Sequence, residues 1–325
     1  MSAIRPVPAV SVVMPCFNAE RHLPASVGSV LAQSLPDWEF IAVDDGSHDG
    51  TLEWLRGVSD PRIRVHSQSN QGVSAARNAG LALARSDLVA FLDADDTWAP
   101  DFLARMTAAL EANPHAVLAY CGWQNLGLPG GRGQPFVPPD YERPDKQEQL
   151  FAGCRWPVHA ALTRRDAVLA AGGFDRSLTN AEDYALWLEL AAARPIVRVP
   201  DVLAFYHFHD GVQASSDRAR AALQLLRAQE RYLEAHPAFL ATLGRDRSRE
   251  LLFGNLLRTG YEAYWKRDLE AARAIFRRAM RAGFVTRRDW IYLLPALLPI
   301  GVHRALLNAL SRDVRSSRAN GSCSK

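Results

Sequence analysis

The chain has 325 residues, 48% of them hydrophobic and 22% charged, which allows two domains and excludes disordered, collagen-like and mucin-like classes. The four cysteines (Cys16, Cys121, Cys154 and Cys323) contain no C-x-x-C pair, which argues against a zinc ribbon, a thioredoxin-like site or a disulfide scaffold and fits a reduced, cytoplasmic setting. The net charge of +3 hides an asymmetry: residues 1–216 carry 17 Lys+Arg against 25 Asp+Glu (net −8), and residues 217–325 carry 21 against 10 (net +11). The opening MSAIRPVPAVSVVMPCFN reaches charged or turn residues too soon for a secretory signal.

In chain order, Val10–Phe17 reads as a buried strand ended by Pro15 and Asn18. Arg21–Gln33 reads as a helix with Leu23, Val27, Val30 and Leu31 on one face. Trp38–Val43 is a second strand, stopped by Asp44-Asp45-Gly46-Ser47; Ser47 or Asp49 then caps a helix carrying Leu52 and Leu55. Arg62–His66 is a third strand, and Gly72–Ala84 a helix with Val73, Ala76, Gly80 and Leu83 inward. Leu88–Leu92 is a fourth strand, stopped by Asp93-Ala94-Asp95-Asp96, with a helix from about Pro100. Ala116–Cys121 is a fifth strand.

Residues 127–144 hold nine Gly or Pro and read as a loop, one that can close over a site. Val158–Thr163 follows as a strand, Gly172–Asp175 as a turn, Ala181–Ala193 as a helix capped by Asn180, and Val197–Phe208 as an extended run interrupted at Pro200-Asp201. From Asp217 the pattern is purely helical, so the domains are 1–216 and 217–325.

The alternation in the first domain is that of an α/β fold with a mainly parallel central sheet, followed by an α-helical C-terminal region. In such sheets ligands sit beyond the carboxyl ends of the strands. Three strand ends carry polar clusters, at residues 15–18, 44–47 and 93–96.

Three carboxylates within four residues at 93–96 repel one another unless a cation compensates. Hard oxygen ligands suit Mg²⁺ or Mn²⁺, which bind through one or two carboxylates plus substrate phosphates. The alternative is a solvated turn capping the next helix. Asp44 and Asp45 can accept from a nucleobase or ribose, or simply form a turn and cap. Glu182-Asp183 is either a general base for a substrate hydroxyl or a carboxylate pair favoured by the helix dipole. His207 and His209 share one face of an extended stretch, where either can reach a metal or a diphosphate. No G-x-G-x-x-G follows the first strand, and neither G-x-x-x-x-G-K-[ST] nor G-x-S-x-G occurs, which disfavours a dinucleotide oxidoreductase, a P-loop ATPase and an α/β-hydrolase.

The segments SVVMPCFNAERHLPASVGSVLAQSLPDWEFIAVDDGSHDGT, NQGVSAARNAG, DLVAFLDADD, AGGFD and AEDYALWLEL occur in this order. From Val10 to Ser216 the chain strongly resembles the family 2 glycosyltransferases, which have a GT-A (nucleotide-diphospho-sugar transferase) fold. The resemblance does not cover Asp217–Lys325. It implies inverting transfer of a sugar from a nucleotide-diphosphate donor, a UDP-sugar for preference, to a glycan or lipid-linked glycan acceptor in surface polysaccharide or glycolipid assembly. By motif match, Pro15, Phe17, Asn18 and Asp44 would line the nucleoside pocket, and Arg77 would sit at the nucleotide or phosphates. Asp93 and Asp95 form the D-x-D signature; Asp95, helped by Asp96, would hold a divalent metal, with Asp93 and His209 beside it. Asp183 matches the catalytic base, with Asp45 and Glu182 in secondary places. Phe17 stands where many members carry Tyr, and Tyr206–His209 replaces the more usual Tyr-Arg-x-His. The competing readings are a nucleotidyltransferase, which would want a basic Gly-rich loop after the first strand, and a non-catalytic nucleotide-sugar binder or membrane scaffold.

In the basic region, Gly260, Asp268, Leu269, Ala272, Phe276 and Ala279 have the spacing of one tetratricopeptide-like hairpin. WIYLLPALLPIGV (290–302) is uncharged, too short to span a bilayer, and flanked by Arg287, Arg288 and Arg304. It reads equally as an interfacial segment on an anionic membrane or as a buried helix broken by prolines. A peripheral place on the inner membrane face is the matching expectation, no nucleic acid is expected as a partner, and Arg312–Lys325 is expected to fray.

Overall fold

A computed structural model of the chain describes residues 7–128, 133–209 and 217–305. The chain divides into two compact units, 1–214 and 215–325. The expectations for Arg312–Lys325 and Cys323 lie outside the described residues, as does part of the loop at 127–144.

The first unit opens with the three strand–helix pairs expected. They are β1 (Val10–Cys16) and α1 (Leu23–Leu31), β2 (Trp38–Asp45) and α2 (Thr51–Gly57), β3 (Ile63–Gln68) and α3 (Val73–Leu83). Next come β4 (Leu88–Phe91), the two-residue β5 (Thr97–Trp98), α4 (Phe102–Ala112) and β6 (Leu118–Leu126). After them follow α5 (Lys146–Phe151), β7 (Ala161–Arg164), α6 (Arg165–Ala170), α7 (Glu182–Ala191) and β8 (Ile196–His207). The eight strands form one sheet in the order β3-β2-β1-β4-β7-β6-β8-β5. It is mostly parallel: β1 pairs parallel with β2 and β4, β2 with β3, and β6 with β8, while β7 and β5 run antiparallel to their neighbours. β1, β2 and β4 are buried throughout, as β-branched and apolar runs covered on both faces must be.

Several local expectations change. Leu31 lies on the exposed side of α1, and Leu81 rather than Leu83 faces inward from α3. α7 is capped by Ala181 in the left-handed region (φ 62), not by Asn180. Pro200-Asp201 does not end β8: the partner register slips between Cys121 and Trp123, so the extra residues leave as a bulge. The described part of 127–144 is tied down, because Phe136 and Trp123 exchange both backbone hydrogen bonds at 2.9 Å and the Tyr120 hydroxyl bridges Pro139 O and Tyr141 N.

The second unit is helical, with α8 (Arg218–Ala235), α9 (Pro237–Leu243), α10 (Arg245–Trp265), α11 (Leu269–Arg281) and the short α12 (Trp290–Leu293). Its own core gathers Leu226, Phe253, Leu256, Tyr264, Ile275, Phe276 and Leu293. Asp217 and Asp268 cap α8 and α11 through side-chain bonds to Arg220 N and Ala271 N. Gly260 lets α10 close on α11, since a β-carbon there would sit 2.7 Å from Ile275 Cγ2. Among the described residues, no helix is long and apolar enough to cross a membrane.

Gly80 sets how closely α3 lies on β1. A Gly→Ala change inside a helix ordinarily gains about 1 kcal/mol. Here the added methyl would stand 2.3 Å from Cγ1 of the buried, β-branched Val13. Gly80→Ala should therefore lower stability in urea unfolding by about 1–3 kcal/mol. A stabilised variant would contradict the close contact.

Candidate active site

A cavity of about 360 Å³ opens at the carboxyl ends of β1 and β4. Pro15, Phe17 and Asn18 line it from the end of β1, Arg77 from α3, Asp93 and Asp95 from the turn after β4, Glu182 from the start of α7, and Tyr206 and His209 from the end of β8. None of the described residues of 127–144 lines it. Asn18 takes a left-handed backbone (φ 50), and its Oδ1 accepts from His48 N at 2.8 Å while Ser47 Oγ accepts from Asn18 N at 3.0 Å. The β1 and β2 ends are thereby locked together.

Arg77 is the most constrained charge in the cavity. Its side chain is 4% exposed, and it donates to Asp93 Oδ1 at 2.6 Å and to Glu182 Oε1 at 2.8 Å. Burial works against its charge, but Asp93 and Glu182 outweigh it and hold the guanidinium protonated far above any accessible pH. Its Nε is buried and finds no acceptor among the described residues. Arg77, expected at the nucleotide or phosphates, thus lines the cavity as a clamp between two carboxylates. The next residue explains how α7 is brought to it. Asn78 exchanges two hydrogen bonds with the backbone of Phe174 (2.8 and 2.9 Å), and a β-carbon on Gly173 (φ 73) would strike Asn78 Oδ1 at 2.6 Å. The sequence segments ARNAG and AGGFD are thus two halves of one junction.

The short β5 sets the metal-type residues. Thr97 and Trp98 pair antiparallel with Phe205 and Ala204 of β8, which lays the residues after β4 against the end of β8. Asp95 Oδ2 then lies 3.2 Å from His209 Nε2. Burial, Asp96 and Asp93 push the Asp95 pKa up, and the bond to His209 only partly offsets them. Asp96 turns inward instead of joining this pair: its Oδ1 accepts from His207 N at 2.9 Å, and its Oδ2 lies 2.9 Å from Nδ1 of the buried His159, within ion-pair reach but out of hydrogen-bond line. The His207 ring meets Thr97 Oγ1 at 2.9 Å. Asp93 is committed to Arg77. Among the described residues no three His, Cys, Asp or Glu side chains are arranged to hold a metal ion. Of the expected set, Asp95 and His209 are in direct contact, while Asp93 lines the same cavity and pairs with Arg77.

Asp44 does not line the cavity. It is buried, with one oxygen accepting from Ser47 N (3.2 Å) and the other from Ser67 Oγ (3.1 Å). Asp45 lines the neighbouring groove of about 330 Å³, with Pro15, Phe17 and Gly72. It accepts from Gln68 Nε2, Gln71 N and Gly72 N at 2.8–2.9 Å, so both carboxylates hold their own loop. Phe17 is 47% exposed at the rim, an open apolar face.

Asp183 sits next to Glu182 at the first turn of α7, accepting from Tyr184 N at 2.7 Å, with Cys154 Sγ 3.9 Å from its other oxygen. Burial and the adjacent Glu182 carboxylate push its pKa up to about 7, against the pull of Arg77. A carboxylate poised there can take a proton near neutral pH.

Residues 11–168 match the model for Glycosyl transferase family 2. By this match residues 11–168 belong to glycosyl transferase family 2. The chain is 33% identical over 237 residues to the O-antigen biosynthesis protein RfbC of Myxococcus xanthus, a match that takes in 71% of this chain but only 18% of that relative. Among solved structures, the fold is similar to Staphylococcus aureus TarS 1-349 in complex with UDP, with a TM-score of 0.60 at 18% identity, over 94% of this chain and 91% of that one. It is similar too to the mannosyltransferase PcManGT of Pyrobaculum calidifontis in complex with GDP-Man and Mn²⁺, with a TM-score of 0.57 at 19% identity, over 99% and 89%. At these identities the likeness shows the fold, which is the GT-A fold.

The sequence of this family 2 domain did not single out His22 or Thr179 as facing the cavity. His22 lies at the start of α1 with its ring centroid 4.5 Å from that of His209. A histidine beside a helix start has no periodic signal, and only the crossing of α1 with the β8 end reveals it. Asp183 also gives a linkage test. Its native pKa of about 7 lies above the unfolded value near 3.8, so the native state binds the extra proton and loses stability as pH rises between them. Asp183→Asn removes that loss. Its melting temperature relative to wild type should therefore rise from pH 5 to pH 8; a constant difference would place Asp183 in solvent.

Proposed function

We propose that this chain transfers a sugar from a nucleoside-diphosphate donor to an acceptor hydroxyl, with inversion at the anomeric carbon. The observation that carries the proposal is a cavity walled by Asp93, Asp95, Arg77 and Glu182, with the pKa of the next residue, Asp183, pushed up to about 7 by burial and the Glu182 carboxylate. The family match and the UDP and GDP-Man bound by the two structural neighbours support the donor class. A UDP-sugar is the donor we propose, with a glycan or lipid-linked glycan as acceptor. The relative named for O-antigen biosynthesis supports a place in surface polysaccharide assembly.

The nucleoside would lie in the groove of Phe17, Asp45 and Gly72, its base against the open Phe17 ring. The Asp95–His209 pair fits a divalent cation by its chemistry. A carboxylate raised by two neighbouring carboxylates gains from a cation, and one oxygen plus one imidazole nitrogen suits Mn²⁺ better than Mg²⁺. Such an ion would supply charge stabilisation to the departing diphosphate. Arg77 keeps Asp93 and Glu182 in place on the same wall and offsets part of their charge. The acceptor oxygen attacks the anomeric carbon on the face opposite the diphosphate. As that bond forms, the carbon–oxygen bond to the diphosphate breaks and its electron pair leaves with the phosphate oxygen. The acceptor proton passes to Asp183. A single displacement inverts the centre, by the logic of inverting glycoside chemistry.

Asp183→Asn should lower the transfer rate by about 10²–10⁴, the usual contribution of a general base, while leaving donor affinity within about twofold. In wild type the rate should rise with pH through about 7, where Asp183 loses its proton. Undiminished turnover by Asp183→Asn would remove Asp183 from the role. Unchanged donor binding with no turnover by the wild type, over a panel of glycan acceptors, would favour a non-catalytic binder.

A further inference from the structure

The segment 290–302 has two edges with opposite fates. Leu293 and Ala296 are fully buried in the core of the second unit, and His303 is buried after them. Three to four residues apart on the other edge, Ile291, Leu294, Leu298 and Val302 stand exposed, Ile291 at 74%; Leu297 stands beside them at 54%. Trp265 at the end of α10 is 64% exposed and sets its ring 5.8 Å from that of Tyr292. Such a continuous apolar stripe is unusual on a surface that faces only water.

The charges within and beside the 290–302 segment are mainly basic. Residues 286–304 carry Arg287, Arg288 and Arg304, all exposed, against the single carboxylate Asp289. Asp289 is already engaged, accepting from Thr286 N at 2.6 Å and from the Tyr261 hydroxyl at 2.5 Å. From α11, Arg273 and Arg277 donate to the carbonyls of Leu298 and Ala296, which fixes two more cations beside the segment. The whole region 217–325 has a net charge of +11.

We propose that the face formed by Ile291, Leu294, Leu297, Leu298 and Trp265 docks on an anionic phospholipid bilayer. Apolar side chains enter the acyl boundary, Trp265 lies at headgroup depth, and the surrounding arginines meet lipid phosphates. Contact with a second copy of the same face is disfavoured, because twofold pairing would bring arginine rims together. The face shares no residue with the cavity, so this inference stands apart from the transfer reaction.

The test is flotation of the full chain with vesicles of equal parts phosphatidylglycerol and phosphatidylcholine, against vesicles of phosphatidylcholine alone. The protein should float with the anionic vesicles, less with the neutral ones, and less as salt is raised. The double variant Ile291→Asp/Leu294→Asp should partition at least about tenfold less, with circular dichroism unchanged because both positions are exposed. Arg287→Gln/Arg288→Gln should reduce the preference for the anionic vesicles. Absence of flotation, or a double variant that floats like wild type, overturns the proposal. Self-association abolished by the double variant, without vesicle binding, overturns it and gives the face to a second copy.

Discussion

The site depends on one buried cation held by two anions from distant parts of the chain. Arg77 on α3 reaches Asp93, 16 residues on, and Glu182, 105 residues on, with both bonds under 3 Å and its side chain almost wholly shielded. An arginine taken out of water without those partners would cost several kcal/mol, on the order of the usual penalty for an unpaired buried charge. The two carboxylates remove that cost and are themselves fixed by it. Around the clamp, the Asn78–Phe174 junction holds the approach to α7, and the β5–β8 pairing holds Asp95 against His209. The charge left uncompensated falls on Asp95 and Asp183, the two carboxylates whose pKa values are raised.

Most of the first unit was legible in the sequence because its strands are apolar runs ended by polar clusters, and its helices keep a clear face. β5 escaped notice because two residues carry no period; it exists only as a partner for β8. α5 and α6 are six residues each and follow turns that look like loops. The carboxylate clusters were legible as clusters, and the structure sets three of their members around one cavity. Their partners were not legible. Asp96 turns inward to His159 and Asp44 to its own loop, because each lies on the buried side of its turn, which side-chain type alone does not reveal. Arg77 was legible as a site residue, but its pairing with Asp93 and Glu182 was not, because Glu182 lies 105 residues on.

The two units solve different physical problems. The acidic first unit concentrates carboxylates at a sheet edge and offsets two of them with the buried Arg77. The basic second unit builds its own core and leaves one edge of 290–302 exposed among the described residues. A transferase unit covalently joined to a membrane-docking unit would raise the local concentration of a lipid-linked acceptor with no added contact in the cavity.

On the reading proposed above, the cavity takes a nucleoside diphosphate together with a divalent cation held by Asp95 and His209. Calorimetric titration of UDP into the full chain, with and without Mn²⁺ and with Asp95→Asn as the control, reads this directly. Binding should tighten at least about tenfold with Mn²⁺ in the wild type and lose that gain in Asp95→Asn. Metal-independent binding of equal strength in both proteins would rule out that cation site.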